Sequence, residues 1–243
     1  KKMNTFDFIK GETLLIDKPL EWTSFDVVNK IRGSLKGYLN VKKIKVGHAG
    51  TLDPLASGLV ILCTGVNTKK IEQYMGMCKV YTGTITLGGT TPTYDLESEI
   101  TLVSKPDFSL EEIRKAALTF EGQIDQMPPI YSAKRIRGQK AYELARRGEK
   151  VKLKTSSITI DSFDIIKTES SKVLENGIDC HFKVKCSKGT YIRSMAFDLG
   201  EKLGCGGFLS ALKRTEIGEY KNENALTVEQ FLKVVEALPK KAD

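Results

Sequence analysis

Apolar and polar positions recur along this chain at two periods, and each period predicts a different element. Glu12 to Asp17, "ETLLID", is a short apolar run with polar ends, which predicts a buried strand. "KPLEW" turns the chain, and Thr23 or Ser24 then caps a helix expected to run to about Arg32. Leu59 to Cys63 reads as another buried strand, and Val80 to Leu87, "VYTGTITL", is rich in β-formers. Ser109 and Glu112 have capping-box spacing, with Ile113, Ala116, Ala117 and Phe120 on one helical face. The segments 90–107 and 125–132 are turn-rich, and a short helix is expected over 141–147, closed by Gly148. Cys180, Phe182, Val184 and Cys186 alternate with His181, Lys183 and Lys185, the pattern of a half-buried strand. Ile192, Met195, Ala196, Leu199 and Leu203 mark an amphipathic helix. Thr227 and Gln230 cap a last one, with Val228, Phe231, Leu232 and Val235 facing inward. No repeat, linker or regular βαβ rhythm interrupts this mixture, so the chain reads as one α+β domain over residues 1–243.

Composition narrows the class. The chain has 243 residues, 40% hydrophobic and 28% charged, a globular balance far from disorder. It holds no apolar run of about 18 residues and no signal-like start, so a soluble cytoplasmic protein without a membrane partner is expected. Five scattered cysteines without a CxxC pair predict reduced thiols. Two distant histidines offer no zinc-type cluster, so no metal and no other cofactor is expected.

The net charge of +8 is unevenly placed. Lys134 to Lys154 holds nine basic residues against Glu143 and Glu149, and Lys30 to Lys45 holds six with no acidic one. Asp95 to Asp125 runs the other way, with eight acidic residues and three basic. A solvated helix face ordinarily mixes its signs, whereas blocks of one sign suit a polyanion.

One stretch carries candidate chemistry. "GHAGTLDPLASGLV", Gly47 to Val60, sets Asp53 among small residues, one histidine and a proline. Small residues let backbone and ligand approach closely, and Pro54 restricts the chain just after the carboxylate. Taken alone, Asp53 fits a turn-capping aspartate as well as a reactive one. Walker A spacing and a G-x-S-x-G elbow are both absent. An aspartyl-phosphate loop would want a second carboxylate nearby for magnesium, and none follows.

The same stretch resembles the signature of the TruB-type tRNA pseudouridine synthases, and further blocks match in order. They are "LLIDKPLEWTS" (14–24), "KVYTGTITLG" (79–88), "MPPIYSAKRIRGQKAYELARRG" (127–148), "CSKGTYIRSMAFDLGEKLGCG" (186–206) and "LKRTEIG" (212–218). The resemblance implies a mixed, largely antiparallel sheet flanked by helices around an RNA-binding cleft. It makes Asp53 the nucleophile, Tyr81 a ring packed on the flipped uracil, and Arg193 the partner of Asp53. His48, Tyr191 and Leu212 match positions that contact or place the substrate. Asp95 is an RNA-contact candidate or a turn residue, and Lys18 reads as structural. Segment 125–150 matches a mobile clamp over the RNA, in which Lys134, Arg135, Arg146 and Arg147 would meet phosphates. Many bacterial relatives continue into a PUA domain, which this sequence is expected to lack.

The expected substrate is uridine 55 in the T-loop of tRNA, acted on by a monomer with no obligatory protein partner. Pseudouridine formation is an isomerisation, so it needs a nucleophile and a held, flipped base rather than a redox cofactor. A guanidinium can hold a carboxylate on two points, which is the role implied for Arg193. Other readings are a tRNA-folding chaperone or RNA-binding module, a guide-RNA-directed pseudouridine synthase, and an aspartyl-phosphate enzyme.

Overall fold

The computed structural model describes residues 6–132, 135–136, 139–148 and 153–239. Contacts along the chain fall into two sets, one joining residues 1–79 with 213–243 and the other within 80–212.

In the first set, the Thr13–Lys18 strand runs antiparallel to Ala56–Thr64, with Thr13 opposite Cys63 and Lys18 opposite Gly58. Leu226–Thr227 joins the far edge in parallel, and the short Val46–His48 strand pairs with the end of Ala56–Thr64. The Ala56–Thr64 strand buries Leu59, Val60, Ile61, Leu62 and Cys63 completely. Such a run is what a strand covered on both faces requires, since no alternate position meets water. Leu59, Ile61 and Cys63 pack with Ala49, Tyr74 and Ile217 in one cluster.

The helices Ser24–Leu39 and Val228–Glu236 pack on each other, and Phe8 meets both Tyr38 and Phe231 edge-on at 6.3 and 6.2 Å. The Ser24–Leu39 helix is capped by Thr23, one of the two expected candidates, which forms a capping box with Asp26, but it runs seven residues beyond Arg32. Gly33 and Gly37 predict an earlier stop, each costing about 1 kcal/mol in a helix interior. Val27, Val28, Ile31 and Leu35 form one buried stripe, and burying a leucine contributes roughly 1.5–3 kcal/mol, so the stripe carries the helix through. It ends at Asn40, in the left-handed region at φ 52°.

In the second set, strands lie in the order Lys79–Leu87, Ile178–Cys186, Ser156–Ser170, Gly122–Gln126. Cys180, Phe182, Val184 and Cys186 are buried as their alternation predicts. Ser156–Ser170, fifteen residues long, has no counterpart among the expected elements. Its register slips between Ile160 and Ser162 and again between Ile165 and Lys167. Buried Ile158 and Ile160 are therefore followed by buried Phe163 and Ile165 in the opposite phase.

Helix Leu110–Leu118 packs on that strand and also meets helix Ile192–Leu203. Phe120, expected on the first of these, lies just past its cap and sets its ring against Phe163, 6.3 Å between centroids. Helix Ile192–Leu203 ends at Gly204, φ 71°, and the chain doubles back into the Gly207–Ile217 strand. A Cβ on Gly200 would come within 2.0 Å of the Gly207 nitrogen, so this approach needs glycine. The sheet is mixed and largely antiparallel and the fold is α+β, as expected. None of the described helices is long and apolar enough to cross a membrane.

Candidate active site

Asp53 sits, half-buried, on the loop joining Val46–His48 to Ala56–Thr64. The residues around it are anchored one by one. The backbone of Leu52 is bracketed by the Ser24 hydroxyl, which accepts from Leu52 N at 2.9 Å and donates to its carbonyl at 3.3 Å. The Asp53 carbonyl accepts from Ala56 N at 3.0 Å, closing a turn over Pro54. The Pro54 carbonyl accepts from Glu21 N at 2.8 Å and from Lys18 Nζ at 3.4 Å. The sequence folds locally this way because "KPLEWTS" supplies all three anchors from one turn.

Lys18 is fully buried, and its ammonium donates to the carbonyls of Pro19 at 2.9 Å and Trp22 at 2.5 Å besides Pro54. Burial pulls its pKa down to about 8, the Arg214 guanidinium adds to that, and the negative charges of Asp53 and Asp26 oppose it. Its structural reading suits this geometry. His48 is half-buried with Nδ1 buried and unpartnered. Burial holds its imidazole below the ordinary histidine pKa; a hydrogen bond with the Gly50 backbone opposes this and Arg214 adds to it, so the neutral ring is favoured.

Arg214 is not among the residues that the sequence predicts at this site. It donates from Nε to the Leu59 carbonyl at 2.8 Å, from Nη2 to Gly50 at 3.2 Å and from Nη1 to Thr51 at 3.4 Å. A faint signal existed, since Arg214 shares the strand phase of Leu212, where an apolar residue is expected. Within residues 1–79 and 213–243, one loop thus gathers Asp53, His48, Lys18 and Arg214.

A second gathering lies within residues 80–212. Arg193, in the first turn of the Ile192–Leu203 helix, is buried and donates from Nη1 to the Thr93 carbonyl at 3.0 Å. Its Nε lies 3.7 Å from Asp95 Oδ2. Asp95 Oδ1 accepts from Thr93 Oγ1 at 2.6 Å and Glu97 N at 3.0 Å, so this buried carboxylate serves its own turn and faces Arg193. Tyr191 caps the same helix, and Gln126 clasps its backbone, accepting from its N–H at 2.8 Å and donating to its carbonyl at 3.0 Å. Ser194 Oγ donates to the Met127 carbonyl at 2.7 Å, so the helix start also holds the chain entering the basic segment. Tyr81 is buried in the Lys79–Leu87 strand, and Leu212 is half-buried.

Of the basic candidates, Lys134 lies outside the described residues, as do the side chains of Arg135 and Arg146. Arg147 is exposed and donates to Gln139 Oε1 at 2.6 Å.

Residues 36–192 match the profile of TruB family pseudouridylate synthase (N terminal domain). Residues 193–243 match that of the tRNA pseudouridylate synthase B C-terminal domain. The tRNA pseudouridine synthase B of Parabacteroides distasonis is 47% identical over 226 residues, 93% of each chain. That of Chlorobaculum tepidum is 47% identical over 222 residues, 90% of this chain and 89% of its own. Among solved structures, a chain in the crystal structure of a Cbf5-Nop10-Gar1 complex matches with a TM-score of 0.68 at 27% identity. That match covers 93% of this chain and 54% of the other, so this chain spans about half its length.

Proposed function

This chain belongs to the TruB family of pseudouridylate synthases, and from that premise we propose that it isomerises uridine 55 in the T-loop of tRNA, with Asp53 as nucleophile. The observation that carries the reading is the loop that presents Asp53. The residues on either side are tied down, Leu52 by Ser24 and Pro54 by Glu21 and Lys18, while the aspartate between them stays half-buried. Tight anchoring around one partly accessible carboxylate is what a nucleophile needs and a simple turn cap does not.

The reaction breaks the N1–C1′ bond, turns the uracil and joins C5 to C1′; C5 loses a proton, and N1, which bears none in uridine, ends with one. Atoms and electrons balance within the nucleotide. The carboxylate of Asp53 attacks the nucleotide and is released at the end. The base must leave its stack first, at a cost of a few kcal/mol, which ring faces such as those of Tyr81 and Tyr191 offset. His48, neutral at physiological pH, takes the position of a substrate contact that adds no charge to the base. Arg193 and Leu212 are kept in their assigned roles, and the 125–150 segment in that of the RNA clamp.

The test is to incubate the purified chain, alone, with unmodified tRNA transcript and map pseudouridine at nucleotide resolution. Modification at position 55 without added guide RNA or protein is the expected result. Asp53→Asn keeps the shape and loses the charge, so no product should form while tRNA binding persists. Product from Asp53→Asn would remove Asp53 from its role; binding without modification by the wild type would favour an RNA-binding module.

A further inference from the structure

Arg214 is 1% exposed and is the largest of the fully buried side chains among the described residues. Removing a cation from water costs several kcal/mol unless its donors are met. The described partners that meet them are not carboxylates but three backbone carbonyls, of Leu59, Gly50 and Thr51. These come from the two limbs around Asp53: Gly50 and Thr51 in the loop before it, and Leu59 in the Ala56–Thr64 strand after it. The planar fork of one side chain therefore bridges both limbs.

The backbone takes part as well. A Cβ on Gly58 would lie 2.3 Å from the Arg214 carbonyl oxygen, so the second limb runs hard against residue 214. Gly50 has φ 102° and Gly58 φ 106°, so the conformations that bring these limbs to Arg214 are ones that side-chain-bearing residues avoid. Ser24 and Lys18 hold the tip of the loop, at Leu52 and Pro54. Arg214 holds its base.

We propose that Arg214 is a positioning residue: by tying the Gly50 and Thr51 carbonyls to that of Leu59, its buried guanidinium sets where the loop presents the Asp53 carboxylate. This rests on the reading of Asp53 as nucleophile. Arg214 acts through the backbone and touches no reacting atom. A purely structural role would cost stability alone, whereas a positioning role costs rate at saturating enzyme, because small misplacements of a reacting group are expensive.

The experiment compares Arg214→Lys and Arg214→Gln with wild type in the full chain. Lys keeps the charge but, lacking the fork, cannot reach both limbs; Gln keeps planar donors and loses the charge. For variants folded at the assay temperature, the single-turnover rate on tRNA should fall by about tenfold to 100-fold, the scale of a misplacement of about 1 Å. Their tRNA affinity should match wild type, and amides from Ala49 to Leu55 should exchange hydrogen faster.

Gly50→Ala strains the same limb with Arg214 intact, so it serves if neither Arg214 variant folds. It should show the same loss of rate at unchanged affinity. A folded Arg214→Lys with wild-type rate and exchange, or Gly50→Ala with wild-type rate, overturns the inference. Asp53→Asn runs alongside. If it is inactive while Arg214→Lys keeps full rate, this inference alone fails; if it is active, the reading of Asp53 itself has failed.

Discussion

Two buried cations, Lys18 and Arg193, meet the same desolvation cost with different chemistry. Lys18 spends three donors on carbonyls, a task suited to an ammonium that points without needing a plane. Arg193 donates from Nη1 to the Thr93 carbonyl and sets its Nε 3.7 Å from Asp95 Oδ2, so its planar head faces two groups at once. Arg193→Lys should therefore lose far more single-turnover rate than tRNA affinity, and Arg193→Met should be worse on both counts. Rapid-quench kinetics beside a binding titration decides it, and wild-type rates in both variants would take Arg193 out of the machinery. His48 makes a thermodynamic prediction. Its folded pKa is depressed, so below about pH 6.5 the unfolded chain takes up a proton that the folded chain resists. Stability is thus lost as pH falls through that window. Wild type should lose more stability than His48→Gln between about pH 7 and pH 5, read from urea midpoints. Identical losses would mean that His48 is as easily protonated folded as unfolded.

At the scale of elements, local signals are legible in the sequence and long-range ones are not. Thr23 with Asp26, Ser109 with Glu112 and Thr227 with Gln230 each form the full reciprocal box. Such a box is written in four consecutive residues and needs no tertiary help. Thr227→Ala should destabilise the protein by about 1 kcal/mol and leave the single-turnover rate alone. Denaturant unfolding beside the tRNA assay checks both halves, and an unchanged midpoint would show that packing of Val228, Phe231 and Val235 alone sets the helix. Alternation does not predict the Ser156–Ser170 strand, because its first bulge reverses the apolar phase between Ile160 and Phe163, and simple alternation cannot see through a bulge. The Ser24–Leu39 helix runs past its expected end near Arg32 because the burial of Leu35, which carries it over Gly33 and Gly37, is tertiary.

Across the whole molecule, the uneven charge is the feature that most directly meets a polyanion. If the 134–154 block contacts phosphates, log affinity for tRNA should fall linearly with log salt, by about 0.7–0.9 per phosphate neutralised. Reversing Arg146 and Arg147 to Glu should weaken binding and flatten that slope while the melting temperature holds. A folded variant with the wild-type slope would make this block a solvated face. Arg147 is exposed, as a phosphate contact requires.

What the sequence determined by itself was whatever depends on residues near one another: the capping boxes, the half-buried alternation from Cys180 to Cys186, and the Asp53 stretch that resembles its family. The α+β class followed from those periods and needed no coordinates. Only the tertiary structure decided how the Asp53 loop is held, because its anchors arrive from 28, 36 and 164 positions away, at Ser24, Lys18 and Arg214. It also decided that Asp95 faces Arg193, 98 positions apart along the chain. A lysine or arginine in a strand reads as solvent-facing from its chemistry alone. Whether it is buried depends on the carbonyls that other segments bring to it, and no local pattern records those.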